Sequence, residues 1–163
     1  MKAVFAVNAA DGFGNGSALP WPRNARDLTR FRQLTVQRSV VMGRGTWLSD
    51  MPKPLPQRRN IVLSKKMSDD RCEVFGDVAT LLANVGEQEE VCVIGGAQTL
   101  WALRPHIQEV YLTRFRSAES AAVELNTKRY LTDFALVSCE DCGDHAFEIY
   151  RRAECAGISP PAQ

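Results

Sequence analysis

Val40-Val41-Met42 and Val91-Cys92-Val93-Ile94 are apolar without interruption, and each run ends at glycine, Gly43 in one case and Gly95-Gly96 in the other. A strand wet on one face alternates apolar and polar side chains, whereas a strand covered on both faces does not. Two such runs require a central sheet buried between helices. Around them, apolar runs and breakers spell out strand Ala3–Val7, a Gly-rich loop, helix Ala25–Thr35, strand Ser39–Met42 and a short helix beginning near Thr46. Strands Asn60–Leu63 and Cys72–Phe75 follow, then helix Val78–Val85, strand Val91–Ile94, helix Gln98–Arg104 and strand Glu109–Arg114. Two last strands, near Ala135–Cys139 and Phe147–Arg151, read as a closing hairpin. The expected fold is α/β: a mostly parallel sheet of about eight strands with an antiparallel C-terminal edge, flanked by about four helices.

A chain of 163 residues, 45% of them hydrophobic, fills one core and is short for two. Residues 1–155 are therefore expected to form one domain, with 156–163 as a loosely ordered tail. Lys+Arg 20 against Asp+Glu 19 gives a net charge of only +1, so no global field favours nucleic acid or an anionic membrane, and any anion site must be local. The apolar opening is broken at Asn8, too short for a signal-peptide core or a membrane span. Five scattered cysteines lack the spacing of a secreted disulfide scaffold and point to the cytoplasm. Cys139, Cys142 and His145 imitate part of a zinc site, but no second CxxC pair completes it, so no metal is expected. Cys139 reads as the end of one strand and Gly143-Asp144 as part of the turn into the next.

In sheets of this kind ligands bind beyond the carboxyl ends of the strands. Strand Val40–Met42 runs into Gly43-Arg44-Gly45-Thr46, where glycines permit close backbone approach and Thr46 opens a helix, whose free N–H groups with Arg44 suit an anion. Strand Val91–Ile94 runs into Gly95-Gly96-Ala97-Gln98, a second Gly-rich turn before a helix. Strand Asn60–Leu63 is followed by Ser64-Lys65-Lys66, a hydroxyl and two ammonium groups suited to one further phosphate. A dinucleotide carries a pyrophosphate for such turns, and of the two nicotinamide cofactors only NADPH adds a ribose phosphate. Gly12-Phe13-Gly14-Asn15-Gly16 imitates a Rossmann fingerprint, but Pro20-Trp21-Pro22 intervenes before any helix, so a lid is the better reading.

Asp27 shares a helical stripe with Leu28, Phe31 and Leu34, while Arg26, Arg30 and Gln33 turn elsewhere. An ionised carboxylate on a buried face needs a cationic, hydrogen-bonding partner, which a substrate could supply. The same spacing also suits a capping box, with Asn24 as cap and Asp27 reaching back to a free backbone N–H. Taken alone, the helix leaves both readings open.

Taken in order, Leu19-Pro20-Trp21, Asp27-Leu28 with Phe31, Val41-Met42-Gly43-Arg44 with Thr46-Trp47, Pro54-Leu55-Pro56 with Arg58 and Asn60, Ile94-Gly95-Gly96, Tyr111-Leu112-Thr113 and Phe147-Glu148-Ile149 resemble the dihydrofolate reductase family from Val4 to about Arg152. The resemblance implies a monomeric enzyme that reduces 7,8-dihydrofolate with NADPH for one-carbon and thymidylate metabolism. It implies that Asp27, helped by Thr113, pairs with the pteridine, while a water near Trp21 and Leu19 supplies a proton. Phe5, Ala6, Leu28, Phe31, Met51 and Leu55 resemble the walls of the folate pocket, and Arg58 the partner of the glutamate tail. Val7, Leu19, Ile94 and Gly95 resemble contacts to the nicotinamide half, with a cis Gly95–Gly96 peptide, and Arg44, Thr46, Ser64 and Lys65 resemble the adenosine and phosphate side. Gly43, Gly45, Leu63, Gly96, Ala97, Gln98 and Thr99 resemble further cofactor contacts. Trp47 and Trp101 read as core. Gln98 stands where many relatives carry a basic residue, Gly45 replaces a larger one, and Leu100 replaces an aromatic. Residues 121–125 depart from the usual pattern, so the Gly12–Leu19 lid is expected to lack its usual latch or to take one from Glu119 or Glu124. Two other readings fit part of the pattern. The pyrimidine reductase of riboflavin synthesis leaves Asp27 beside Leu28 and Phe31 without a use. A non-catalytic nucleotide-binding protein needs none of Asp27, Thr113 and Arg58.

Overall fold

The computed structural model describes residues 1–14 and 18–153. Its strands are β1 (Lys2–Val7), β2 (Gly12–Gly14), β3 (Ser39–Gly43), β4 (Arg59–Leu63), β5 (Glu73–Phe75), β6 (Val91–Gly95), β7 (Glu109–Phe115), β8 (Val123–Glu124), β9 (Phe134–Asp141) and β10 (His145–Arg152). Its helices are α1 (Ala25–Thr35), α2 (Arg44–Trp47), α3 (Val78–Asn84), α4 (Ala97–Leu103) and α5 (Thr127–Tyr130), with a 3-10 turn at Arg104–His106. Eight strands form one sheet in the order β5-β4-β3-β6-β1-β7-β10-β9. The first six are mutually parallel, while β10 runs antiparallel to both β7 and β9.

Two apolar cores sandwich the sheet. On one face Phe31 and Leu34 of α1 pack against Val4, Val40, Met42, Trp47, Leu55, Val62, Cys92 and Ile94. On the other, Leu81 of α3 and Leu100 and Leu103 of α4 pack against Phe5, Val7, Val41, Val93 and Leu112. Each uninterrupted run therefore feeds both cores alternately, as a doubly covered strand must. Trp47 is core, its Nε1 donating to Asp69 Oδ2 at 3.0 Å, and Trp101 packs on the second core.

Helix α1 starts where Asn24 Oδ1 accepts the Asp27 N–H at 2.9 Å, one of the donors a helix start leaves free. It ends where Val36 leaves helical backbone, its N–H still reaching Arg32 O. Phe31 and Leu34 face the core as the stripe requires, but Leu28 is 39% exposed and turns out of it. The last hairpin is longer than its sequence signal: β9 continues to Asp141, so Cys139 lies inside the strand rather than at its end, and Gly143 takes the turn at φ +91°.

The departure at 121–125 forms strand β8, which pairs with β2 through Gly12↔Glu124 and Gly14↔Val123. Asp11 accepts from Thr127 N at 3.1 Å and Thr127 Oγ1 at 2.6 Å, and Asn8 Nδ2 donates to Glu119 O at 2.7 Å. Glu119 and Glu124 thus tie the base of the lid through backbone, while the carboxylate that holds it belongs to Asp11. Asn15, Gly16 and Ser17 lie outside the described residues, as does the tail 156–163. Asn8 is fully buried, and its Oδ1 also accepts from Ala10 N and from Gly12 N at 2.8 Å. Asn8→Ala strands these groups and is expected to cost about 1–3 kcal/mol, read by urea denaturation; an unchanged midpoint would show that the loop satisfies them otherwise.

Candidate active site

The alternation of β1 decides what faces Asp27. Ala6 registers with Thr113 on the α1 face, whereas Phe5 registers with Leu112 and joins the opposite core with Val7. Phe5, expected as a wall of the folate pocket, therefore turns its side chain to the face of the sheet opposite Asp27. Phe5 instead meets Tyr130 edge-on at 5.7 Å. On the α1 face β1 carries Val4, in the core, and Ala6, beside the Asp27 partner Thr113.

Asp27 is half-buried, and its Oδ1 accepts from Thr113 Oγ1 at 2.7 Å. The two sequence readings divide between side chain and backbone: Asn24 caps the helix, but the Asp27 carboxylate turns to the sheet instead of back to the cap. Burial pushes the Asp27 pKa above its ordinary value, while the Thr113 hydroxyl and positive charge on His145 and Arg30 pull the other way. Arg30 does not turn away. Its guanidinium lies 4.2 Å from the Phe147 ring centre and 5.8 Å from that of Tyr111, and Asp27 and Arg30, three residues apart, share a side of the helix. Trp21, 7% exposed, stacks on Phe115 at 4.7 Å. Leu19 is 55% exposed, and Leu28, next to Asp27 on the helix, 39%.

Leu55 is buried and Met51 partly so, both in the core that Phe31 joins. The loop carrying Leu55 and Arg58 is pinned by Asn60, which accepts from Leu55 N and donates to Leu55 O, each at 2.9 Å, and to Arg58 O. Arg58 Nε donates to Thr35 Oγ1 at 2.9 Å at the end of α1. Burial lowers the Arg58 pKa, and the charge of Arg32 lowers it further. Arg32 is thus near enough to be felt by Arg58, and two neighbouring guanidinium groups suit a carboxylate. Sequence reasoning missed Arg32, although its place one turn beyond Leu28 could have marked it.

The sheet order sets the three Gly- and Lys-bearing strand ends side by side, β6 beside β3 beside β4. A Cβ on Gly43 would stand 2.5 Å from Thr99 Oγ1, and one on Gly95 would stand 3.2 Å from Phe13 Cζ and 3.3 Å from Thr46 Oγ1. Side chains are thus excluded where backbone must line a cradle. The Gly95–Gly96 peptide is cis, as the family resemblance implies. Helices α2 and α4 span only four and seven residues, so backbone and side chains of the turns, rather than a long helix dipole, must provide anion binding here. Arg44, Gly45, Lys65 and Gln98 are exposed at the rim, Ile94, Thr99 and Gly43 are buried, and Gly96, Ala97 and Ser64 lie between. Leu63 packs on the second core, and Ser64 Oγ accepts from Lys66 N at 3.2 Å. Glycine backbone at these turns, with exposed Arg44 and Lys65 at their rim, has the chemistry that a dinucleotide phosphate chain needs. Among the described residues no three His, Cys, Asp or Glu side chains cluster as metal ligands, and no described helix is long and apolar enough to cross a membrane.

A three-layer α/β sheet with Gly-lined turns at adjacent strand ends, beside a half-buried acid, places the protein in the nucleotide-binding α/β class. A family model for dihydrofolate reductase matches residues 1–150, and the chain belongs to that family. It is 43% identical over 100 residues to the dihydrofolate reductase of Mycobacterium leprae (strain TN), covering 58% of this chain and 59% of that protein. It is 34% identical over 113 residues to that of Bacillus subtilis (strain 168), covering 68% and 66% respectively. The matched stretches thus span less than two thirds of those two relatives. A solved structure of the dihydrofolate reductase from Enterococcus faecalis, complexed with NADP(H) and RAB-propyl, superposes with a TM-score of 0.79 at 26% identity, over 93% of this chain and 95% of that one.

Proposed function

We propose that this chain is a cytoplasmic, monomeric enzyme that reduces 7,8-dihydrofolate to 5,6,7,8-tetrahydrofolate with NADPH. Membership of the dihydrofolate reductase family supports the reaction class. The observation that carries the chemistry is a half-buried carboxylate oriented by Thr113, on a helix whose Phe31 joins the apolar cluster of Met51 and Leu55. A carboxylate has two oxygens and accepts from two donors at once, so Asp27 grips the 2-amino group and adjacent ring nitrogen of a pterin. Thr113 fixes the rotation of the carboxylate in that grip. Leu28, Phe31, Met51, Leu55 and Ala6 sandwich the ring and its aryl linker, while Arg58 with Arg32 takes the glutamate carboxylate.

When bound, NADPH supplies the hydride that adds to C6 of the pterin C6=N5 bond. The electron pair displaced onto N5 takes a proton, and a water screened by Trp21 and Leu19 delivers it. Asp27, ionised, does not itself protonate N5; it raises the basicity of the ring by pairing with it. Arg44, Thr46 and the glycine turns hold the pyrophosphate, and Ser64 and Lys65 reach the ribose phosphate that NADH lacks.

The reading is tested by mixing the protein with NADPH and 7,8-dihydrofolate and following nicotinamide oxidation, with NADH and a diaminopyrimidine riboflavin precursor as comparisons. Oxidation that requires dihydrofolate supports it, and oxidation driven by the riboflavin precursor overturns it. Arg58→Ala removes a charged hydrogen-bonding partner and is expected to raise KM for dihydrofolate roughly 10- to 100-fold, with the effect falling on KM rather than kcat. A KM within twofold of the parent would remove Arg58 from the site.

A further inference from the structure

His145 is a buried titratable side chain that the reduction described above leaves without a role. It is 2% exposed and opens β10 in register with Phe115, two residues from the Phe147↔Thr113 pair. Residues two apart along a strand share a face, so His145, Phe147, Thr113 and Phe115 all line the side of the sheet that α1 covers. The imidazole lies 4.8 Å from the Phe147 ring and 5.4 Å from the Phe115 ring on which Trp21 stacks. Its Nδ1 is 2.6 Å from Asp144 Oδ1, and because a carboxylate only accepts, the proton of that pair belongs to Nδ1. Nε2 is fully buried with no hydrogen-bond partner among the described residues.

The Asp144 clamp leads directly to the catalytic helix. Asp144 Oδ2 accepts from Asn24 Nδ2 at 3.3 Å, and Asn24 Oδ1 accepts the Asp27 N–H at 2.9 Å. Asp27 is thus held from one side by Thr113 on β7 and from the other by a chain that begins at His145. We propose that His145 is a positioning residue for the substrate site: clamped by Asp144 and Asn24 to the start of α1, it couples the proton it holds to the charge on Asp27, and so to the grip on the pterin. The proposal rests on Asp27 being the substrate's partner.

The groups that face Asp27 are Thr113 from β7, Arg30 from its own helix and His145 from β10. Arg30 faces Glu140, Tyr111 and Cys142 as well as Asp27. A second proton, on Nε2, would make His145 cationic and favour ionised Asp27, while the Nδ1 hydrogen bond keeps Asp144 ionised beside it. A neutral residue at 145 leaves burial of the carboxylate less opposed, so Asp27 must take up its proton at higher pH.

The direct measurement is a carbon-13 carboxyl titration of the full chain, with the Asp27 resonance identified by its loss in Asp27→Asn. His145→Gln and His145→Phe are expected to move the Asp27 midpoint upward, and KM for dihydrofolate to rise several-fold on the acid side of the profile, the rise shrinking toward alkaline pH. A merely structural loss would weaken binding equally at every pH. Asp144→Asn separates the clamp from simple charge. Removing a nearby anion alone would lower the Asp27 midpoint, whereas releasing His145 from its partner raises it. A midpoint that stays put in His145→Gln, or falls in Asp144→Asn, overturns the proposal. If His145→Phe unfolds, His145→Gln and Asp144→Asn still decide it. The failure of the underlying reading looks different: Asp27→Asn would then retain parental activity, whatever the titration shows.

Discussion

Asp27→Asn is expected to lower turnover of dihydrofolate at neutral pH by roughly 10²- to 10⁴-fold while leaving the protein folded. Asparagine keeps the size of the side chain and an oxygen for the Thr113 hydroxyl, but it has no charge to raise the basicity of the pterin ring. Activity should partly recover in acid, where the substrate arrives already protonated. The stability of the variant should move in the opposite sense. Burial raises the Asp27 pKa in the folded chain above its unfolded value. Below the unfolded value both states hold the proton and the site costs nothing; as pH rises through and past it, the folded state must either keep the proton or carry a charge it accommodates poorly. At neutral pH the parent carries that cost in full and Asp27→Asn does not, so the variant should melt at a higher temperature than the parent, with the gap closing near pH 3–4. A variant that melts higher and turns over slower has traded stability for function at this residue. A variant equal to the parent in rate at neutral pH would reduce Asp27 to a surface-facing helix residue.

Gly95→Ala is expected to fail for a reason of shape. Gly95 holds φ +135°, a region that L side chains rarely adopt, and its missing Cβ faces the Phe13 ring at 3.2 Å and the Thr46 hydroxyl at 3.3 Å. The strain should cost about 1–3 kcal/mol, or about 2–4 °C in Tm for each kcal/mol in a chain of this size. Displacing Thr46 and Phe13 disturbs the wall shared by both glycine turns. NADPH affinity should therefore fall by roughly tenfold or more, one such factor for each 1.4 kcal/mol lost from the cradle. Gly45→Ala is the control for stability: it has nothing within 4 Å of its Cβ position, and its Tm should stay within about 0.5 kcal/mol equivalent of the parent. Melting curves and quenching of protein fluorescence by NADPH read both quantities. If the two substitutions behave alike, the close approach at Gly95 has no consequence.

The parts of this fold written in local periodicity were legible. Helix α1 spans Ala25–Thr35 as its stripe and cap require, and the central strands stand within a residue or two of their apolar runs. Features that depend on register between distant strands were not legible. That Phe5 turns away from Asp27 follows only from which face of β1 α1 covers, and a single strand of five apolar residues does not say. Strands β2 and β8, three and two residues long, have no period to detect and exist because they pair. The helix stripe leaves Arg30 out because it counts apolar residues, yet a guanidinium lying on Phe147 behaves as part of the packed face. His145 looked like a fragment of a metal motif. Only the β7–β10 register brings it beneath α1, and only the Asn24–Asp144 bond ties it to Asp27.

The account stands most directly on where the Asp27 carboxylate points when the pocket is filled. A crystal structure of the complex with folate and NADP+ is the measurement that decides this. Both Asp27 oxygens should lie about 2.7–2.9 Å from the 2-amino nitrogen and the neighbouring ring nitrogen, with Thr113 Oγ1 still on Oδ1. A pterin bound elsewhere, with Asp27 facing water, would contradict the account even in an active enzyme.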